Sequence, residues 1–315
     1  MFCGDTIAKD GKGAMTIAVD RPADDHRKGL LIATIGGVLF TLDIPLLRLA
    51  NPDGQVDQWT LVFARGIFLF AAITVWWYVF RWRKGHREFF LNGWPGVAVA
   101  MTNTLANILF ILAIGKTTAA SLVFILALNP IFAAVLAWLV LQERIPVWTW
   151  LAVCLSFIGV GIIVWDGLHT GTWVGDLMAL VVALCTAVAL TIIRKTGRNV
   201  VTSLATGSLV SALIAWQWAQ PALLPVEGWS WVALNGLVVM PLASALIAIS
   251  PRYIPSAEVA MFFLLDTILT PIWIWLLFGE VPTTRTLIGG TIVIVTLFAH
   301  SLWRLYDQHQ RDLLR

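Results

Sequence analysis

Long apolar runs dominate the chain, and neither a helical nor a two-residue period interrupts them. Ten such runs, each nearly free of charge, lie at roughly 29–49, 59–80, 94–114, 118–141, 147–165, 173–193, 202–219, 229–249, 257–278 and 284–303. A helix crossing hydrocarbon needs about 20 mostly apolar residues, because its backbone polar groups must be satisfied within the segment. The connections are short and carry turn formers: Asn51-Pro52-Asp53-Gly54, Lys84-Gly85, Asp166-Gly167, Pro221 and Pro225. The pattern predicts an all-α integral membrane protein with ten transmembrane helices and no room for a soluble domain. Residues 1–28 mix five basic with five acidic side chains and contain no apolar stretch. They read as a disordered cytosolic leader, not a cleavable signal peptide, with Met15 as an alternative start. The tail, 304–315, is polar and suits an interfacial helix.

Composition agrees with the pattern. Of 315 residues, 59% are hydrophobic and only 12% charged, with a mean hydropathy of +0.83. Soluble domains run near ~45–50% apolar and ~25% charged, so the surplus apolar surface must face lipid. That excludes a soluble enzyme, a disordered tail and a nucleic-acid module. The positions of Lys and Arg set the orientation. With the N-terminus in the cytoplasm, the inner segments hold seventeen and the outer ones three, Arg48, Lys116 and Arg285. Both termini are therefore expected in the cytosol, in a bacterial inner membrane. Pairs such as Trp76 and Trp77, Trp148 and Trp150, Trp216 and Trp218, and Trp229 and Trp231 lie near span ends and read as interfacial belts. Cys3, Cys154 and Cys185 are scattered and odd in number, so they read as small buried hydrophobes with no disulfide or metal site.

The second half of the chain echoes the first. Ala120–Glu143 aligns without a gap on Ala257–Glu280. Leu128 meets Leu265, Ile131 meets Ile268, Trp138-Leu139 meets Trp275-Leu276, and the closing glutamates coincide. Because each half has an odd number of spans, the copies are inserted in opposite senses. Inverted repeats give two conformations of similar energy, with a solute site near the midplane where the halves meet.

The segments Leu128-Asn129-Pro130 to Leu141-Gln142-Glu143 and Leu265-Asp266-Thr267 to Phe278-Gly279-Glu280 resemble the repeated signature of EamA-type members of the drug/metabolite transporter superfamily. Ala64-Arg65-Gly66 resembles the Arg-containing start of the family's second helix. The resemblance covers residues 29 to about 303, as a first repeat over 29–165 and a second over 173–303. It implies ten helices as two inverted five-helix repeats, cytosolic termini, and movement of small organic metabolites such as amino acids, vitamins, nucleosides or drugs. One departure stands out: Thr267 occupies the place of the usual proline, and Pro271 lies a turn further on, so the break in the ninth span is displaced.

Ionisable groups at membrane depth are costly and rarely face lipid. Asp43 (followed by Pro45), Arg65 and Asp266 stand well inside spans. Arg65 is either a structural lock paired with Asp43 or Asp266, or a solute ligand. Asp266 is near mid-span, and its repeat partner Asn129 precedes Pro130. Two discontinuous helices with a polar side chain at each break would build a hydrogen-bonding site, with Asp266 suited to proton coupling. Asn103 and Asn107, four residues apart, share a helix face. The candidate solute-binding set is Asp43, Arg65, Asn103, Asn107, Asn129, Asp266 and Thr267. Glu143 and Glu280 read as helix caps or gate contacts, and Asp176 and Glu258 as structural residues at helix starts. Gly36-Gly37, Gly159-Gly161 and Gly289-Gly290 read as packing sites.

No H-E-x-x-H, G-x-S-x-G or P-loop pattern occurs, and no Cys/His cluster, so neither a cofactor nor a metal is expected. Without a nucleotide site, active transport must draw on a gradient or on exchange. The sequence thus points to a secondary carrier with a small organic solute and the lipid bilayer as its partners, and with a monomer as a plausible state. The competing readings are a membrane-embedded enzyme using Asp43 and Asp266 as acid and base, and a channel.

Overall fold

The computed structural model describes residues 23–52, 54–80, 91, 93–142, 146–196, 201–250, 253–254, 262 and 264–313. Among them, eight helices are long and apolar enough to cross a membrane. These are the first span (Arg27–Leu49), second (Gln58–Val79), third (Gly93–Ile114), fourth (Ala119–Val140), fifth (Val147–Thr170), sixth (Trp173–Ile193), eighth (Val226–Ile247) and tenth (Thr284–Trp303). Two shorter apolar helices, Thr202–Ala215 and Leu265–Phe278, occupy the places expected for the seventh and ninth. The tenth helix runs on without interruption to Leu313, so the tail continues a membrane helix as far as that residue. Met15, the basic cluster at 81–87, Glu143 and Glu258 lie outside the described residues.

The helices pair in a regular way. The first packs on the eighth, the third on the sixth, the second on the seventh, the fifth on the tenth, and the ninth on the start of the fourth. Small residues permit the closest of these approaches, since without a Cβ two backbones can touch. A Cβ at Gly159 would lie 2.7 Å from the Gly289 carbonyl oxygen, and one at Gly66 would lie 2.6 Å from that of Ser208. Gly161 meets nothing within 4 Å, so its expected packing role does not hold. Leu47, Leu61, Ile111, Leu122, Ile125 and Leu128 fill the centre. Large apolar side chains such as Leu31, Val75, Met101, Leu213 and Val295 cover the outside, as a lipid-facing surface requires. Cys185 is buried as expected, whereas Cys154 is exposed on this apolar exterior.

Among the described residues, three spans depart from a continuous α-helix. The first turns at Thr41–Leu42 and resumes as Asp43–Leu49. The fourth turns at Ala127–Leu128 and resumes at Asn129. In the eighth, a π-helical turn over Leu234–Val239 precedes Pro241. The ninth, by contrast, is a single helix from Leu264 to Phe278 with Pro271 inside it. The break expected beside Asp266 is absent from Leu264–Phe278.

Candidate functional site

The break in the first span builds the site. Pro45 has no N–H, so the Thr41 carbonyl four residues earlier loses its helical partner. A hydroxyl from the ninth helix replaces that donor: Thr270 Oγ1 donates to the Thr41 carbonyl at 3.1 Å. Trp273 Nε1 also donates to Thr41 Oγ1 at 3.0 Å. The interruption is thus satisfied by the opposite half of the chain, as a buried backbone group must be.

Immediately after this turn, Asp43 faces Arg65. Arg65 Nη2 donates to both carboxylate oxygens, at 2.9 and 2.8 Å. Only 6% of the arginine side chain and 13% of the aspartate side chain are exposed, which makes this a buried ion pair. Arg65 Nη1 lies 3.4 Å from Asn107 Oδ1, and its guanidinium carbon sits 5.0 Å from the centre of the Phe110 ring. A second donor comes from the eighth span, where Asn235 Nδ2 donates to Asp43 Oδ1 at 2.8 Å and to the Asp43 carbonyl at 3.3 Å. Asn235 is fully buried on the π-helical turn. Such turns widen the helix and often mark functional positions.

Asp266 stands on the ninth helix one turn before Thr270, whose Oγ1 is 2.6 Å from Asp266 Oδ1. Thr270 therefore has two acceptors, the Asp266 carboxyl and the Thr41 carbonyl, for one hydroxyl proton. Two buried polar atoms of this cluster have no hydrogen-bond partner, Arg65 Nε and Asn235 Oδ1, and on the fourth span Asn129 Oδ1 has none either.

The structure brings Asp43, Arg65 and Asn107 together and ties Asp266 to the same break. Asn103 is engaged elsewhere: its Nδ2 donates to the Leu204 carbonyl at 3.0 Å, joining the third helix to the seventh. Asn107 contributes to the same tie through Ser208 Oγ at 3.3 Å. Asn129 opens the second half of the fourth span, and Thr267 is buried beside Asp266. Asp176, at the start of the sixth span, is buried and accepts from Thr117 Oγ1. Asn235, Thr41 and Thr270 were not among the candidates. Asn235 had a visible signal, an amide followed by Gly236 and Pro241 in an apolar run. The hydroxyls had none, because Thr is common in spans and bonds its own helix.

Among the described residues no group of three or more His, Cys, Asp and Glu could hold a metal ion. A model of the EamA-like transporter family matches residues 27–165 and again residues 173–302. A solved crystal structure of another protein is similar in fold at a TM-score of 0.60. The similarity covers 86% of this chain and 96% of that one, at 15% sequence identity. No curated protein sequence matches the chain.

Proposed function

Because the chain belongs to the EamA-like transporter family, we propose that it is a secondary carrier working by alternating access. Its ten helices form two inverted five-helix repeats with cytosolic termini, and its cargo is a small organic solute. The helix pairing supports the two-fold relation. Exchanging each helix for the one five places on turns the first–eighth pair into the sixth–third pair, and leaves the second–seventh, fourth–ninth and fifth–tenth pairs as they are. Each of these pairs joins one half to the other, which is the contact a rocking mechanism needs.

The observation that carries the reading is the polar seam between the halves. Asp43 and Arg65 from the first repeat meet Asn235 from the second, and the broken backbone at Thr41 is completed by Thr270. The donor Arg65 Nε and the acceptor Asn235 Oδ1 suit a solute that both donates and accepts hydrogen bonds. Asp266 supplies the coupling. A proton on its carboxyl would let it donate to Thr270 Oγ1, freeing the Thr270 proton for the Thr41 carbonyl. With Asp266 ionised, the two acceptors compete for that proton, and the tie to the first span loosens. Proton occupancy is thereby linked to the contact between the halves.

The test is metabolite profiling of cells lacking or overproducing the protein, followed by transport of the accumulated solute into proteoliposomes. Flux should saturate, show counterflow and respond to an imposed pH gradient. Asp266→Asn should retain counterflow and lose the response to pH. An unchanged pH dependence in that variant would remove the coupling role. A chemically altered product would make the protein an enzyme, and flux without saturation or counterflow would make it a channel.

A further inference from the structure

On the face where the first and ninth helices end and the fourth begins, a second charged cluster sits above the seam. Gly279 terminates the ninth helix in the left-handed conformation, φ +67°, with its N–H donating to the Trp275 carbonyl at 2.9 Å. Glycine adopts that backbone without strain, and the next residue, Glu280, is carried across to the first repeat. There it forms an ion pair with Arg48 in the last turn of the first span. Its other oxygen, Oε1, accepts from the backbone N–H of Ala119 at 3.1 Å. Ala119 opens the fourth helix, where free N–H groups favour an anion.

Arg48 is held from its own side as well. Its Nη2 reaches the Thr117 carbonyl at 3.2 Å and the Ile114 carbonyl at 3.4 Å. The guanidinium is therefore fixed by the first repeat, and Glu280 is the group that arrives from the second. Both side chains are partly exposed, 21% and 22%, so water can compete for them when the halves separate. The other charged tie on this face sits elsewhere: Thr283 donates to Asp166 and Arg285 Nη1 lies 3.7 Å from Asp166 Oδ1, but between the fifth and tenth helices, which already touch at Gly159 and Gly289. Arg48 and Glu280 ride on the two elements that carry the site's carboxylates. At 1.5 Å per residue, Arg48 lies about 7.5 Å along its helix axis from Asp43, and Glu280 about 21 Å along its own from Asp266.

We propose that the Arg48–Glu280 ion pair is a latch that closes the seam from this face and must break for solute to pass on this side. The proposal rests on the carrier reading above, and its test separates the two. In a background without native cysteines, Ser121→Cys reports on this face: Ser121 is buried in the first turn of the fourth helix. Ser203→Cys reports on the opposite face, where Ser203 is buried near the start of the seventh helix. Each reporter is labelled with a membrane-impermeant maleimide in vesicles of known orientation.

Glu280→Gln and Arg48→Gln should each raise labelling at position 121 by roughly tenfold, the shift expected when one charge-assisted contact is lost from one of two states. Arg48→Lys, which keeps the charge but not the fork, should raise it less. Labelling at 203 should fall in the same variants if the halves alternate. An unchanged rate at 203 with a raised rate at 121 keeps the latch and removes alternating access. A rise at both reporters, meaning a loosened fold, or no change at 121 would overturn the latch.

Discussion

Arg65 illustrates how a charge survives in an apolar bundle. Its guanidinium has a carboxylate, an amide and an aromatic face as neighbours, all within the protein. Taking two ions out of water costs several kcal/mol each, so the pair is not a simple gain in stability, but removing one partner strands the other. Asp43→Ala or Arg65→Ala should each destabilise the protein by about 3–5 kcal/mol. The double variant should cost much less than the two together, as denaturation in detergent micelles would show. The chain itself flagged Asp43, Arg65 and Asp266, because an ionisable side chain inside an apolar run demands a partner. Which partner Arg65 takes was open between two aspartates. Distance decided it: Asp43 is bound through two oxygens, and Asp266 turns to Thr270 instead.

At the level of the helix, proline and glycine set the geometry. Pro45 and Pro130 follow the turns of the first and fourth spans by a few residues, and each removes an N–H that a continuous helix would use. Pro271 lies inside the ninth helix without interrupting it. The same residue type therefore follows an interruption in two spans and is carried inside a continuous helix in a third. Glycines divide in the same way. Gly159→Val should destabilise by about 1–3 kcal/mol or more, since its Cβ would meet the Gly289 carbonyl oxygen at 2.7 Å. Gly161→Val, with nothing within 4 Å of its Cβ, should stay within about 0.5 kcal/mol. Thermal melts of the two variants side by side would separate a packing glycine from a lipid-facing one.

Over the whole molecule, ends assigned to one side by the distribution of Lys and Arg sit together. Arg48 meets Glu280, Thr117 meets Asp176, Thr283 meets Asp166, and the Gln220 N–H donates to Thr60 Oγ1. At the other face Thr149 pairs with His300. The inverted arrangement requires Lys84→Cys and Lys195→Cys to react with an impermeant thiol reagent from the cytosolic side, and Lys116→Cys from the outside. Labelling of positions 84 and 195 on opposite sides would break the proposed two-fold relation. Sequence alone determined the solvent of this protein, its helical class and the positions of the eight helices long enough to span, because transfer of apolar residues into lipid and the cost of buried charge are properties of each residue in turn. It also exposed the repeat, since matched positions survive as letters. The tertiary structure alone decided which polar groups meet: Asn235 on Asp43, Thr270 on the Thr41 carbonyl, Glu280 on Arg48. Those contacts join residues 192 to 232 apart in the chain, where side-chain directions depend on breaks and crossing angles that no local pattern records.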